Sequence, residues 1–150
     1  RGLWKGNDLD RPLTARGHEQ ATAIADALAD RPIGCLLSSR ARRCTQTLGP
    51  LAARLALPME VRDQLTEGAD VAELVDLLRA LAGNDSDAVL CSHGDLIPAA
   101  VSRLMGDGMS VTGPQGCAKG SIWQLGLDGS GLLAGSYVAD PALNRYPTAS

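Results

Sequence analysis

Two segments of this chain share one pattern, in which a short apolar run ends in a polar turn and a helical pattern follows. The first run, at residues 35–39, ends in two serines and precedes a turn with three arginines at 40, 42 and 43. The second, at residues 87–90, leads into Cys91-Ser92-His93-Gly94 and a helical pattern over 95–101. Repeated strand, turn and helix units predict a mostly parallel sheet. Their turns lie at the carboxyl ends of strands, where open α/β sheets bind ligands.

The rest of the chain continues this alternation. Apolar periodicity and capping residues predict helices over 14–29, 43–56 and 71–81, and another helix after His93. Strands are expected at 33–37, 58–61 and 88–91, and the segments 121–127 and 132–138 predict a terminal β-hairpin around the turn at 128–131. The predicted fold class is therefore α/β, with a mostly parallel central sheet and helices on both faces. We expect one domain over residues 1–140 and an irregular tail over 141–150.

The two polar turns predict an anion site. A histidine beside the N–H groups of a new helix can bind phosphate or move a proton to or from it. Three arginines in four positions repel one another unless an anion or carboxylates lie among them, and at a helix N-terminus they oppose the dipole. The guanidinium fork suits phosphate. The plainer alternatives are a His93 that only caps or packs and a solvated basic helix start.

Composition narrows the function classes. The net charge of −3 disfavours nonspecific nucleic-acid binding, and no apolar run is long enough to cross a membrane. The four cysteines form neither a C-x-x-C pair nor a zinc pattern, so a reducing cytoplasm is expected. Cys91 as a catalytic thiol is the sharper alternative to a small buried apolar residue, but strand alternation favours burial.

Three segments in order resemble the histidine phosphatase superfamily, which has the phosphoglycerate-mutase-like fold. They are residues 6–17, residues 38–47 and Cys91-Ser92-His93-Gly94, which resembles the second catalytic His-Gly of the family. The compact size, without a long insertion between Glu67 and His93, resembles the small phosphohistidine-phosphatase-like branch. Residues 43–52 and 119–123 resemble instead the C-terminal domain of actinobacterial Nudix–histidine-phosphatase fusions, so an N-terminal Nudix domain in the parent protein is a second expectation.

The resemblance implies a phosphatase that transfers the phosphoryl group through a phosphohistidine intermediate, without a metal or another cofactor. It implies that Arg43, His93 and Gly94 bind the phosphoryl group and that Glu67 protonates the leaving oxygen. Asp95 is an alternative candidate for this acid. An equal alternative is that Glu67 is only a solvated carboxylate on a loop, with no role in catalysis. The substrate class is a phosphohistidine protein or a small phosphorylated or nucleotide substrate.

One departure from the family concerns the nucleophile. The family carries it in an Arg-His-Gly-like triplet at the end of the first strand, and no such triplet precedes Trp4 in this sequence. His18 does not fit, because it follows Gly17 inside a helical pattern. We therefore expect the first strand to be absent and the domain to be N-terminally truncated. The lack of an initiator Met favours this interpretation.

Two consequences follow for activity and assembly. The chain as given is expected to be inactive, and a catalytically inactive phosphate-binding or protein-interaction module is the alternative function. The missing strand is expected between the strands at 33–37 and 88–91, leaving an apolar slot that invites a foreign segment.

Overall fold

The computed structural model describes residues 7–128 and 132–142. In chain order the helices are α1 Ala15–Leu28, α2 Arg42–Leu55, α3 Val71–Ala82 and α4 Leu96–Gly106. The strands are β1 Ile33–Ser38, β2 Met59–Val61, β3 Asp87–Cys91, β4 Ser110–Thr112, β5 Ile122–Leu127 and β6 Leu133–Val138. Short 3₁₀ turns cover Asp8–Asp10 and Asp63–Leu65. The predicted helices and strands are confirmed with small shifts at their ends, whereas β4 has only three residues and was not predicted.

The strands form two three-stranded sheets. The first has the order β2-β1-β3 and is parallel throughout. The second has the order β4-β6-β5, in which β5 and β6 form the predicted antiparallel hairpin and β4 lies parallel to β6. Part of the hairpin turn falls outside the described residues, as does most of the predicted tail. Three of the four strand pairings are parallel, which agrees with the expected α/β class.

Helices cover both faces of the parallel sheet because adjacent residues of β1 point to opposite sides. Leu36 packs in a cluster with side chains from α1 and α2, and Leu37 packs in a cluster with side chains from α3 and α4. Both leucines are almost completely buried. The layer order places the carboxyl ends of β1 and β3 side by side at one edge of the sheet.

The prediction of an apolar slot between the strands at 33–37 and 88–91 is wrong. β1 and β3 pair directly from Ile33 opposite Asp87 to Ser38 opposite Cys91, with one irregularity near Gly34. The expectation rested on both strands carrying site residues at their ends, but adjacent strands satisfy that condition equally well. Within the described residues, β3 pairs with β1 alone and β5 with β6 alone.

The two sheets share their apolar packing. Val89 and Ile122 pack against the α1 and α2 cluster, while Leu90 and Trp123 pack against the α3 and α4 cluster. β3 and β5 therefore contribute to the same two layers, although they belong to different sheets. None of the described helices has the length and apolar character needed to cross a membrane.

Candidate active site

His93 lies in the turn between β3 and α4 and is 7% exposed. Its Nε2 is 2.7 Å from Ser39 Oγ, and its Nδ1 is 3.3 Å from Arg43 Nη2. A guanidinium nitrogen can only donate, so Nδ1 accepts from Arg43 and Nε2 carries the proton given to Ser39. His93 is thus held from both ring nitrogens by residues that follow β1.

Arg43 lies in the first turn of α2, which begins after β1. Its Nη1 donates to the backbone oxygen of Asp8 at 2.9 Å and lies 3.2 Å from Asp8 Oδ2. Its Nη2 lies 3.8 Å from Glu67 Oε2. Only 19% of the Arg43 side chain is exposed, whereas Arg40 and Arg42 are exposed residues. The guanidinium is therefore positioned by carboxylates and by His93, and it does not extend into solvent.

Glu67 lies on the loop between β2 and α3, and its side chain is 56% exposed. Two hydrogen bonds tie this loop to the turn that carries His93. Asp95 Oδ2 accepts from the Gly68 N–H at 2.8 Å, and Ser92 Oγ donates to the Leu65 oxygen at 2.8 Å. Asp95 makes no side-chain cap to α4. Its observed role is to hold the Glu67 loop.

A buried thiol lies next to the histidine. Cys44 Sγ lies 3.8 Å from His93 Nε2 and donates to the Ser92 oxygen at 3.6 Å. The hydrogen bond from Cys91, helped by His93 and Arg43, lowers the pKa of Cys44 to about 5 against the effect of burial. The same pairing raises the pKa of Cys91, and burial adds to that increase.

The environment of His93 contains opposing influences. The hydrogen bond and negative charge of Cys44 raise the pKa of His93, while burial and the positive charge of Arg43 lower it. The net direction is upward from the ordinary histidine value. Because Arg43 occupies Nδ1 in the observed arrangement, a second proton on His93 requires Arg43 to turn away from that nitrogen.

The structure brings Arg43, His93 and Glu67 together at one sheet edge. Gly94 is exposed, and a Cβ built on it would meet no atom within 4 Å, so the surface beside His93 is open. His18 is exposed on α1, as the helical pattern predicted. No group of His, Cys, Asp or Glu side chains in the described ranges is arranged to hold a metal.

Sequence reasoning missed three residues of this site, namely Asp8, Ser39 and Cys44. Each stood inside a segment that the motif analysis singled out, but a single sequence does not show which polar side chains face inward. A shallow cavity on the second sheet, lined in part by Thr112, Gln124 and Ser136, includes none of the site residues. The candidate active site therefore lies outside that cavity.

Comparisons with known proteins agree with this fold. The family model described as "Histidine phosphatase superfamily (branch 1)" matches residues 2–70. An 8-oxo-(d)GTP phosphatase of Mycolicibacterium smegmatis is 31% identical over 144 residues, which cover 94% of this chain and 45% of that protein. An uncharacterised protein of Mycobacterium tuberculosis is 44% identical over 61 residues, which cover 41% of this chain and 30% of that protein. The chain spans less than half the length of these curated relatives.

Solved structures give the same placement. The protein histidine phosphatase SixA in complex with tungstate is similar with a TM-score of 0.75 and 29% identity, covering 93% of this chain and 90% of that one. A mycobacterial glucosyl-3-phosphoglycerate phosphatase in complex with VO3 has a TM-score of 0.66 over 91% of this chain and 90% of that one; its 20% identity supports the fold alone. In its matched segment and its architecture, the chain is thus similar to members of the histidine phosphatase superfamily.

Proposed function

We propose that this domain binds a phosphoryl group between Arg43 and His93 and forms the phosphate-binding part of a metal-independent phosphatase. The observation that carries the proposal is the 3.3 Å contact between Arg43 Nη2 and His93 Nδ1, at the carboxyl ends of two adjacent parallel strands. Two hydrogen-bonding side chains converge there at an open surface, where a helix also begins. The similarity to SixA, which binds tungstate, supports the same conclusion.

The hydrogen-bonding groups allow an anion to enter without leaving a buried group unsatisfied. A phosphoryl oxygen between the two side chains would accept from Arg43 Nη2 and from a proton on His93 Nδ1. Ser39 Oγ, which is 2.7 Å from Nε2, can then reverse its role and donate, because a hydroxyl both donates and accepts. In this position Arg43 and His93 stabilise the negative charge that develops on the transferred group.

The proposed reaction has two steps and follows the family resemblance. A histidine outside the present sequence attacks phosphorus, so a phosphorus–nitrogen bond forms as the bond to the leaving oxygen breaks. Glu67 donates a proton to that oxygen, since Asp95 already accepts the Gly68 N–H. Water then cleaves the phosphohistidine and releases phosphate.

The described strands suggest where the nucleophile would enter. β3 and β5 each have one strand partner within the described residues, and both pack into the same two apolar clusters. A parallel strand between them would join the two sheets. Its carboxyl end would lie beside His93, because β3 ends two residues before that histidine.

The proposed substrates are a phosphohistidine protein or a small phosphorylated compound such as an oxidised nucleotide. The first is supported by the similarity to SixA and the second by the M. smegmatis 8-oxo-(d)GTP phosphatase. The exposure of Glu67 and Gly94 leaves the site accessible to either class. An N-terminal Nudix domain remains a proposed partner in a longer parent protein. The proposed location is the cytoplasm, which the free cysteines support.

The proposal is tested by comparing the 150-residue chain with the same chain extended at its N-terminus by an Arg-His-containing strand. We expect p-nitrophenyl phosphate hydrolysis only from the extended chain, and its loss in the extended His93→Ala variant. A phosphohistidine protein and 8-oxo-dGTP, assayed separately, distinguish the substrate classes. Turnover by the unextended chain would contradict the proposed nucleophile. Phosphate binding without turnover by the extended chain would favour the inactive phosphate-binding module.

A further inference from the structure

We propose that the Asp8 carboxylate occupies part of the phosphoryl site, between Arg11 and Arg43, and turns away when an oxyanion binds. Arg11 then acts as a second guanidinium that holds the phosphoryl group. This inference rests on the proposed function above, because it extends the same site by one further arginine and by the carboxylate that competes for it.

One carboxylate bridges two arginines beside His93. Asp8 Oδ1 lies 3.2 Å from Arg11 Nε, and Asp8 Oδ2 lies 3.2 Å from Arg43 Nη1. We call this arrangement of Asp8, Arg11 and Arg43 the Asp8 bridge. Guanidinium donors bind carboxylates and phosphates in the same way, through pairs of oxygens. The Asp8 bridge therefore places two carboxylate oxygens where two oxygens of a phosphoryl group can bind.

The Asp8 bridge adjoins the contact that the proposed function uses. Arg43 Nη1 faces Asp8, whereas Arg43 Nη2 is 3.3 Å from His93 Nδ1. A phosphoryl group that places one oxygen between Nη2 and Nδ1 has other oxygens available for Nη1 and for Arg11. Both halves of the Arg43 guanidinium then bind the same ligand, so the Asp8 bridge belongs to the phosphoryl site.

Arg11 has an unused donor at this position. Only 19% of its side chain is exposed, and its Nε is buried. The contact with Asp8 does not have the geometry of a hydrogen bond, and Nε has no other hydrogen-bond partner within the described part of the chain. A buried donor without a partner is unfavourable. An oxyanion that aligns with Nε therefore gains an interaction that the Asp8 carboxylate does not make.

Asp8 can turn away without moving the segment that carries it. Its side chain is 59% exposed, so the carboxylate can move into water. Its backbone oxygen accepts from Arg43 Nη1 at 2.9 Å, and Nη1 has a second hydrogen for the anion. The Leu13 N–H donates to Gln46 Oε1 at 2.8 Å, which fixes the end of the segment to α2 about one turn after Arg43. Both arginines thus stay in place while the anions exchange.

Competition by Asp8 sets how strongly the site binds anions. Two guanidinium groups close together repel each other unless an anion lies between them, so Asp8 stabilises the site in the free protein. The same carboxylate lowers the apparent affinity for a phosphoryl group, because only molecules in which it has turned away can bind one there. A phosphoryl dianion displaces Asp8 because it carries more negative charge.

Isothermal titration of the 150-residue chain with tungstate tests this exchange. Asp8→Asn removes the competing charge, and we expect affinity to rise about tenfold, as for the gain of one charge-assisted hydrogen bond. Asp10→Asn is the matched control, because Asp10 lies exposed in the same 3₁₀ turn and its replacement removes the same charge. An unchanged affinity in Asp8→Asn, or an equal rise in Asp10→Asn, would overturn the proposal.

A second set of measurements isolates Arg11. Arg11→Gln should weaken tungstate binding about tenfold, and the gain from Asp8→Asn should be smaller in that variant, because the two residues interact. NMR of the unaltered chain gives a readout that needs no substitution. The Arg11 Nε–H signal should shift when tungstate is added, whereas the signal of Arg54, which pairs with Asp26 at the surface, should not. Tungstate binding that leaves the Arg11 signal unchanged would overturn the assignment.

Failure of this inference and failure of the proposed function give different results. If the unaltered chain binds tungstate and Asp8→Asn binds it equally well, the phosphoryl site stands and the exchange is wrong. If neither the unaltered chain nor any variant binds tungstate, the phosphoryl site and the exchange are both wrong.

Discussion

At the scale of single residues, Arg43 separates from the two other arginines of its turn. Its guanidinium contacts Asp8, His93 and Glu67, whereas Arg40 and Arg42 are exposed. The plain alternative of a solvated basic helix start therefore describes two of the three arginines. The carboxylates of Asp8 and Glu67 offset the unfavourable placement of a cation at the start of α2.

Replacing Arg43 with lysine tests the value of the guanidinium fork. Arg43→Lys keeps the charge but loses the paired donors, so we expect tungstate affinity to fall about ten- to a hundredfold. Isothermal titration measures the change. Arg54→Lys is the matched control, because Arg54 lies in the same helix and pairs with Asp26 at the surface. Equal affinities of Arg43→Lys and Arg54→Lys would contradict the assignment.

The contact between Cys44 and His93 leads to a second prediction, which concerns how anion affinity depends on pH. Because its folded pKa is raised, His93 keeps its proton to higher pH and should lose affinity for sulfate as pH rises through that value. Cys44→Ala removes the largest upward cause, so the midpoint should move to lower pH. Sulfate is the suitable probe because its own charge is constant in this range.

NMR titration of the imidazole protons measures the same midpoint directly. The chain has two histidines, and His18→Gln leaves a single resonance that assigns His93. An unchanged His93 midpoint in Cys44→Ala would contradict this explanation of the raised pKa of His93, because Cys44 makes the largest contribution to it.

At the scale of elements, the loop carrying Glu67 is positioned by the turn that carries His93. The Asp95–Gly68 and Ser92–Leu65 hydrogen bonds link the segment before α3 to the segment before α4. The interpretation of Asp95 as an alternative acid did not identify this contact. Sequence separation explains the omission, since the partners of each bond stand 27 residues apart.

Asp95→Ala should therefore loosen the Glu67 loop while leaving α4 folded. Removing the acceptor of a solvent-exposed hydrogen bond costs about 1 kcal/mol, so exchange of the Gly68 amide hydrogen should accelerate about fivefold. Hydrogen exchange followed by NMR measures this. Asp95→Asn keeps a side-chain oxygen as acceptor and is expected to retain protection. Equal protection at Gly68 in both variants would show that the bond does not hold the loop.

At the scale of the whole molecule, the described residues build two sheets that share one pair of apolar layers. β1 contributes to both layers, because its neighbouring residues Leu36 and Leu37 pack into opposite ones. The direct pairing of β1 with β3 leaves no room for a further strand between them, so an added strand would have to lie on the other side of β3. The neighbours then become β3 and β5, which each have a single partner among the described strands.

An N-terminal extension that supplies a strand should therefore stabilise the domain at β3 and β5. We expect slower amide exchange along the side of each strand that has no strand partner among the described residues, and a higher Tm, with each kcal/mol adding about 2–4 °C. The matched control is the same extension with proline at alternate positions, since proline cannot donate to a sheet. Protection that appeared on β2 or β4 instead would show that the strand adds at an outer edge.

The sequence by itself determined the elements and the edge of the sheet that carries the chemistry. Apolar periodicity located the four helices, and the polar turns after 33–37 and 88–91 predicted that Arg43 and His93 meet, as they do at 3.3 Å. These features depend on neighbours along the chain and on the general direction of parallel strands, so local patterns suffice. Thr14 shows the same, since its hydroxyl caps α1 by accepting from Gly17.

Strand order and the polar contacts of the site were decided only in the tertiary structure. The pairing of β1 with β3, the contact of Cys44 Sγ with His93 Nε2, and the hydrogen bond from Gly68 N–H to Asp95 all join residues far apart in the chain. Such contacts depend on which faces pack together, because two apolar strands can pair with several partners equally well until the helices cover them. Only the packed layers select one arrangement and thereby place a thiol, a hydroxyl and two carboxylates around Arg43 and His93.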